Sequence, residues 1–146
     1  MEELVNRLNR FFASSYMFYL KTHYYHWNVY GSDFPQYHEF FGNLYEEVYS
    51  SIDTVAEHIR QINGTPENAP SSLLQNSIIS ESKNTKYVNE IVTELLDDVD
   101  AIARDIVDIN KISERFSEIG LSNYLQDRHA AFKKHSWMLK SILKQR

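Results

Sequence analysis

Apolar residues recur at intervals of three and four along most of the chain, in four separate runs. The first is Leu4, Leu8, Phe11, Phe12, Ser15, Phe18, Tyr19 and Thr22, the spacing of one helical face. It predicts a helix from Glu2 or Glu3 to about Tyr30, with the two glutamates suited to the positive end of its dipole. Gly31 is a stop signal, and Ser32 or Asp33 is placed to cap the next helix. The second run, Phe34, Tyr37, Phe41, Leu44, Val48, Ile52, Val55, Ile59 and Ile62, predicts a helix of ~29 residues, a rod of roughly 43 Å, ended by Asn63-Gly64. The third, Val88, Ile91, Leu95, Val99, Ile102, Ile106 and Ile109, predicts a helix from about Thr85 to Glu114. After a short turn marked by Gly120 and Ser122, the fourth covers about Leu121 to Leu143 through Leu125, Phe132, His135, Leu139 and Ile142. Lys140, Lys144 and Arg146 complement its C-terminal dipole.

Between the second and third runs lies a long connection, Thr65 to about Asn84. Within it, Ser71 to Ile79 has the makings of one or two helical turns. So long a connection is not a tight hairpin. It can cross from one end of a bundle to the other, which makes the second and third helices parallel. The expectation is an all-α four-helix bundle with a long crossover between helices 2 and 3 containing a short helix. An up-and-down bundle with an unstructured insertion is the alternative.

Composition narrows the picture without redirecting it. One domain spanning 1–146 is expected, since 146 residues, 42% hydrophobic and 14% aromatic, suffice for a sizeable core. Only 4 Gly and 3 Pro interrupt it, two of the prolines inside Gly64–Pro70. No cysteine occurs, which excludes disulfides and thiolate metal ligands and fits a reducing, cytoplasmic setting. The sequence has no 18-residue apolar run and no signal-peptide pattern at Met1-Glu2-Glu3-Leu4, so no membrane association is expected. A net charge of −5 gives no general attraction to nucleic acid or anionic lipid.

The chemistry concentrates between His26 and Glu57. His26, His38, Asp53 and Glu57 combine imidazole and carboxylate, a ligand set for iron, manganese or zinc. Taken singly, the histidines fit ordinary packing and the carboxylates a solvated face. On a helical wheel with His38 at zero, the apolar stripe of helix 2 centres near ~280°, Asp53 falls near ~60° and Glu57 near ~100°, so the carboxylates point away from the core. His38 and Asp53 are also fifteen residues apart, ~22 Å along one helix, too far to share an ion whose bonds are ~2 Å long. A second copy of helix 2, antiparallel across a two-fold axis, removes both difficulties. It would place His26 and His38 of one chain against Asp53 and Glu57 of the other, giving two identical sites ~22 Å apart.

His26-Trp27-Asn28-Val29-Tyr30-Gly31, then Phe34, His38, Asp53 and Ala56-Glu57-His58-Ile59-Arg60, resemble the signature of the Dps family of mini-ferritins, the DNA-binding proteins from starved cells. Tyr124-Leu125 through His135-Ser136-Trp137-Met138-Leu139 resembles that family's last helix. The resemblance covers most of the chain and is sharpest from His26 to Gly64. It implies a ferritin-like fold and a hollow dodecamer of 23 symmetry built from two-fold dimers. It also implies a ferroxidase that oxidises ferrous iron, preferentially with hydrogen peroxide, stores ferric mineral and so protects against oxidative stress. By position, His26 and His38 would come from one subunit and Asp53 and Glu57 from its partner, with Glu57 bridging or bidentate. Zinc or another divalent metal would substitute for iron. Trp27 would stand beside the site and take up stray oxidising equivalents.

One position departs from the family. Where an aspartate usually follows the second histidine by four residues, this chain has Gly42, near ~40° on the wheel and facing the site. The expectation is one well-formed metal position from His26, Asp53 and Glu57 and a weaker one near His38, with water or Glu46 as an auxiliary group. Glu46 of both chains would meet near the two-fold, where paired carboxylates share a proton, a cation or a counter-charge. Two other functions stay open: a structural shell whose oxidation centre has decayed at Gly42, and a DNA-compacting protein. The second is disfavoured by the acidic charge and the lack of a basic tail. His23, His58, His129 and His135 read as structural or surface groups. The acidic face of helix 3 (Glu94, Asp97, Asp98, Asp100, Asp105, Asp108) is either an iron-entry or cavity lining or a solvated face.

Overall fold

The computed structural model describes residues 1–144, so Arg146, expected to complement the dipole of the last helix, lies outside the described residues. Five helices occur in order: α1 Glu2–Asn28, α2 Phe34–Gln61, α3 Pro70–Asn76, α4 Val88–Arg115 and α5 Ile119–Leu143. No strand occurs among the described residues. The four long helices obey their apolar periodicity, burying Leu4, Leu8, Phe11 and Phe18 from α1, Phe41, Val48, Val55 and Ile59 from α2, Ile91, Leu95, Ile102 and Ile109 from α4, and Leu125, Phe132 and Leu139 from α5. Phe18 meets Phe132 edge to face across the centre, 6.2 Å between centroids.

The direction of each helix is set by contacts at its ends. The α1–α2 turn is tied to the start of α4 by a hydrogen bond from the Tyr30 amide to the Lys86 carbonyl, 2.8 Å, within an isolated parallel bridge between Tyr30 and Tyr87. At the far end Arg115 of α4 pairs with Glu3 of α1, 3.1 Å. So α4 starts where α2 starts, and the two run parallel. This is the ferritin-like bundle with a full-length crossover, and it excludes the up-and-down alternative.

The crossover is pinned by polar residues of α1. Asn9 donates to the Thr65 carbonyl (3.0 Å) and accepts from the Glu67 amide (2.9 Å). Ser14 Oγ accepts from the Ile78 amide (3.0 Å), and Ile79 inserts into the core. Two boundaries differ from expectation. The third long helix begins at Val88 rather than Thr85, because Lys86 and Tyr87 are held extended against Tyr30. Gly120 lies inside the first turn of α5; the reversal before it is made by Ser117, at φ 57° in the left-handed region.

The acidic face of α4 is neither a simple solvated face nor a free pore lining. Lys21 of α1, almost fully buried, reaches Asp98 at 2.7 Å and Glu94 at 3.3 Å. Glu94 also accepts from the Tyr25 hydroxyl and from the Lys83 amide. Asp105 takes Arg7 at 3.0 Å and a second guanidinium from Arg10, and Asp100 accepts from Ser136 at 2.7 Å. Asp97 and Asp108 alone of the six are exposed. Burial pushes the Asp98 carboxyl up in spite of Lys21.

Candidate metal centre

The chain leaves α1 at Asn28 and re-enters helix at Phe34, turning at Gly31, whose φ of 138° is open to glycine and strained for other residues. That turn brings His26, in the last turn of α1, abreast of His38 in the second turn of α2. Their rings stack, centroids 3.7 Å apart and planes 16° from parallel. His26 Nδ1 lies 2.5 Å from the His38 carbonyl oxygen, and His38 Nδ1 lies 2.6 Å from the His26 carbonyl oxygen. A carbonyl only accepts, so both Nδ1 atoms carry the proton. In the neutral rings both Nε2 atoms then keep a lone pair, the tautomer a metal-binding imidazole needs.

The pair is fixed on other sides too. Phe34 stacks on His38 at 5.1 Å, and Tyr45 meets His26 edge-on at 5.4 Å. Gly42 lies under His26: a Cβ at that residue would stand 3.0 Å from His26 Cε1 and 3.1 Å from Nδ1. His23 is sandwiched between Tyr45 (4.0 Å, 19°) and Trp27 (3.9 Å). Desolvation, with a smaller contribution from His26, lowers its pKa. Trp27 itself is 60% exposed.

Asp53 and Glu57 stand on α2 with exposed side chains, four residues apart and far down the helix from His38. Asp53 rims a surface hollow of about 310 Å³ walled by Phe12, Tyr16, Tyr49 and Ala56. Glu46 is also exposed. The structure therefore brings the two histidines together and leaves the two carboxylates apart from them. Among the described residues, no group of three or more His, Asp or Glu side chains is placed to hold a metal within one chain.

A second polar cluster has little signal in the sequence. Glu47 accepts two hydrogen bonds from Arg128, 2.6 and 3.1 Å, and one from His135 Nε2, 2.7 Å, tying α2 to α5. The only hint is a carboxylate beside the α2 stripe and a histidine within the α5 stripe, 88 residues apart. Burial alone would raise the Glu47 carboxyl, but the bonds from His135 and Arg128 more than offset it and hold it at about 2. A carboxyl depressed in the folded state contributes stability that is present above its unfolded pKa and lost as pH falls towards the folded one. Melting followed between pH 5 and 2 should show a steep acid limb that Glu47→Gln flattens; an unchanged limb would mean that this cluster does not set acid stability.

Comparison with known proteins places this geometry in context. Residues 5–146 match the model of the ferritin-like domain family. General stress protein 20U of Bacillus subtilis is 30% identical over 142 residues, covering 97% of this chain and 98% of its own. The DNA protection during starvation protein of Brevibacillus brevis is 30% identical, covering 93% of this chain and 91% of its own. A crystal structure of a Dps protein from Vibrio cholerae O1, described as a member of a broad superfamily of ferritin-like diiron-carboxylate proteins, superposes with a TM-score of 0.94 at 28% identity, covering 98% of this chain and 90% of that one.

Proposed function

Because the chain belongs to the ferritin-like family, and within it to the Dps group, we propose that it is a mini-ferritin. In this reading it oxidises ferrous iron with hydrogen peroxide at sites shared by two-fold-related subunits and retains the ferric product inside a dodecameric shell. Iron is the substrate and cargo. The observation that carries this is complementarity within one helix pair. Two imidazoles present free Nε2 atoms at one end of α2, and two exposed carboxylates, Asp53 and Glu57, stand ~22 and ~28 Å from His38 along the same helix, at ~1.5 Å per residue. Antiparallel pairing of α2 across a two-fold brings each half to the other twice.

In each site His26 and His38 would bind through Nε2, with the rings locked by their Nδ1–carbonyl bonds. Asp53 and Glu57 of the partner would supply negative charge that favours the ferric over the ferrous state. Two ferrous ions give up one electron each, the O–O bond breaks, and two protons complete two water molecules, so peroxide is consumed without releasing a radical. Trp27 (60% exposed) packs on His23 beside the histidine pair, and Tyr49 (54%) walls the hollow at Asp53, exposed aromatic surface suited to burial against a second copy. Zinc and other divalent ions would compete for the same lone pairs.

Adding ferrous iron and peroxide to the assembled protein without oxygen should give a fast ferric absorbance and keep the iron soluble. Oxidation no faster than in buffer would favour the second reading, a shell with a decayed oxidation centre. Its supporting observation is Gly42, which offers no ligand where the family usually has one.

A further inference from the structure

We propose that Tyr45, Tyr19 and Tyr49 form an electron relay that links the histidine end of one oxidation site to the carboxylate end of its two-fold mate. The relay rests on the shared-site reading above and adds to it a connection between the two sites of a dimer. The rings follow one another along the seam between α1 and α2. Tyr45 meets the edge of His26, 5.4 Å between centroids. Tyr19 lies 5.8 Å from Tyr45, and Tyr49 lies 4.8 Å from Tyr19. Tyr49 walls the hollow that Asp53 rims. Every step falls within the separations at which aromatic rings are in contact. His23 bridges Tyr45 (4.0 Å) to Trp27 (3.9 Å) at the histidine end. A row of oxidisable rings therefore runs beside the stretch of α2 that separates His38 from Asp53. The Tyr19 hydroxyl lies 3.1 Å from His23 Nδ1. A phenol donates to an unprotonated imidazole nitrogen, so a proton released by Tyr19 has an acceptor within hydrogen-bond reach.

Hydrogen peroxide takes up two electrons, and Gly42 offers no ligand for a second iron within the site. A ferrous ion held at the His26 end supplies one electron. Tyr19 supplies the other through Tyr45: its O–H bond breaks, the proton moves to His23 Nδ1, and a phenoxyl radical is left. The O–O bond breaks at the same site, and two protons from solvent complete two water molecules. A ferrous ion at the Asp53 end then reduces the radical through Tyr49, and the proton returns from His23. In sum, two ferrous ions, one peroxide and two protons give two ferric ions and two waters. Rings placed only for packing would serve as well without their hydroxyls. A relay needs phenols, which give up an electron far more readily than phenylalanine, so Tyr→Phe substitutions separate the two roles.

The chain has 2 Trp, so Trp137→Phe leaves Trp27 as the single indole. In the metal-free assembly of that variant, a light flash ejects an electron from Trp27 into an irreversible scavenger. The indolyl radical is expected to give way to a phenoxyl radical in a fast phase that does not depend on protein concentration. Adding Tyr19→Phe and Tyr45→Phe should abolish that phase while shell size and melting temperature are kept. In the wild-type assembly given ferrous iron and then peroxide without oxygen, freeze-quench electron spin resonance should show a phenoxyl signal. That signal should decay faster as ferrous loading rises towards one ion per site, and in Tyr19→Phe its decay should be blind to loading. A fast phase that survives the two Tyr→Phe changes would overturn the relay. So would rapid iron oxidation with no phenoxyl signal, or a wild-type signal whose decay is indifferent to loading. If the fast phase is lost as expected but wild-type iron oxidation is no faster than in buffer, the shared-site reading fails and the relay stands.

Discussion

Glu57→Ala and Asp53→Ala are each expected to slow peroxide-driven oxidation of ferrous iron by about a hundredfold or more. Losing a group that merely supports a ligand costs metal affinity or activity ~10–100-fold, and a direct ligand should matter no less. Both side chains are exposed and make no hydrogen bond or ion pair among the described residues. The same substitutions should therefore leave stability within ~0.5 kcal/mol of the parent. That separation is diagnostic: a carboxylate free in the subunit yet essential to the reaction has its partners elsewhere. Stopped-flow ferric absorbance and thermal melting on the same preparations measure both quantities. A wild-type rate in either variant would remove that residue from the site.

Lys21→Met should produce the largest loss of stability. Lys21 is 5% exposed and holds Asp98 at 2.7 Å and Glu94 at 3.3 Å. Methionine keeps the apolar stem and removes the charge, leaving two carboxylates in the α1–α4 interface without their cation. Breaking a buried pair in this way costs about 3–5 kcal/mol. The loss should depend on pH. Asp98 deprived of Lys21 is left with the burial that raises its carboxyl and without the cation that lowers it, so the folded state binds a proton more readily and the variant regains stability as pH falls from 7 to 5. Asp98 already tends that way in the parent, raised by burial despite Lys21. Urea unfolding at both pH values measures it; a loss below ~1 kcal/mol at pH 7 would show that the network is not a structural tie.

The four long helices are legible because a buried stripe repeats every three or four residues whatever its neighbours are. The same ruler places His38 and Asp53 too far apart for one ion and on the polar side of α2. Features that stay hidden depend on contacts between distant segments. The sequence displays six acidic residues on α4 but not that Lys21, Arg7 and Arg10, 77, 98 and 95 residues away from their partners, lie opposite. It marks Gly31 as a turn but not that the turn sets two imidazoles against each other's carbonyls. Gly42 stands out only as an absent aspartate; that the His26 ring packs directly against it, 3.0 Å from where a Cβ would stand, is a consequence of the packing of α1 on α2. Periodicity extends the third long helix back to Thr85 because no local signal reveals the bridge between Tyr30 and Tyr87.

If each oxidation site is built from two chains, mixing two inactive variants tests it most directly. One lacks the histidines (His26→Ala with His38→Ala), and the other lacks the carboxylates (Asp53→Ala with Glu57→Ala). They are dissociated, combined in equal amounts and reassembled. In a mixed dimer one site lacks every ligand, whereas the other keeps the histidines of one chain and the carboxylates of the other. Random pairing should therefore restore about a quarter of the wild-type sites and of the ferrous oxidation rate. Mixed shells that form but oxidise iron no faster than either variant alone would contradict a site shared between chains.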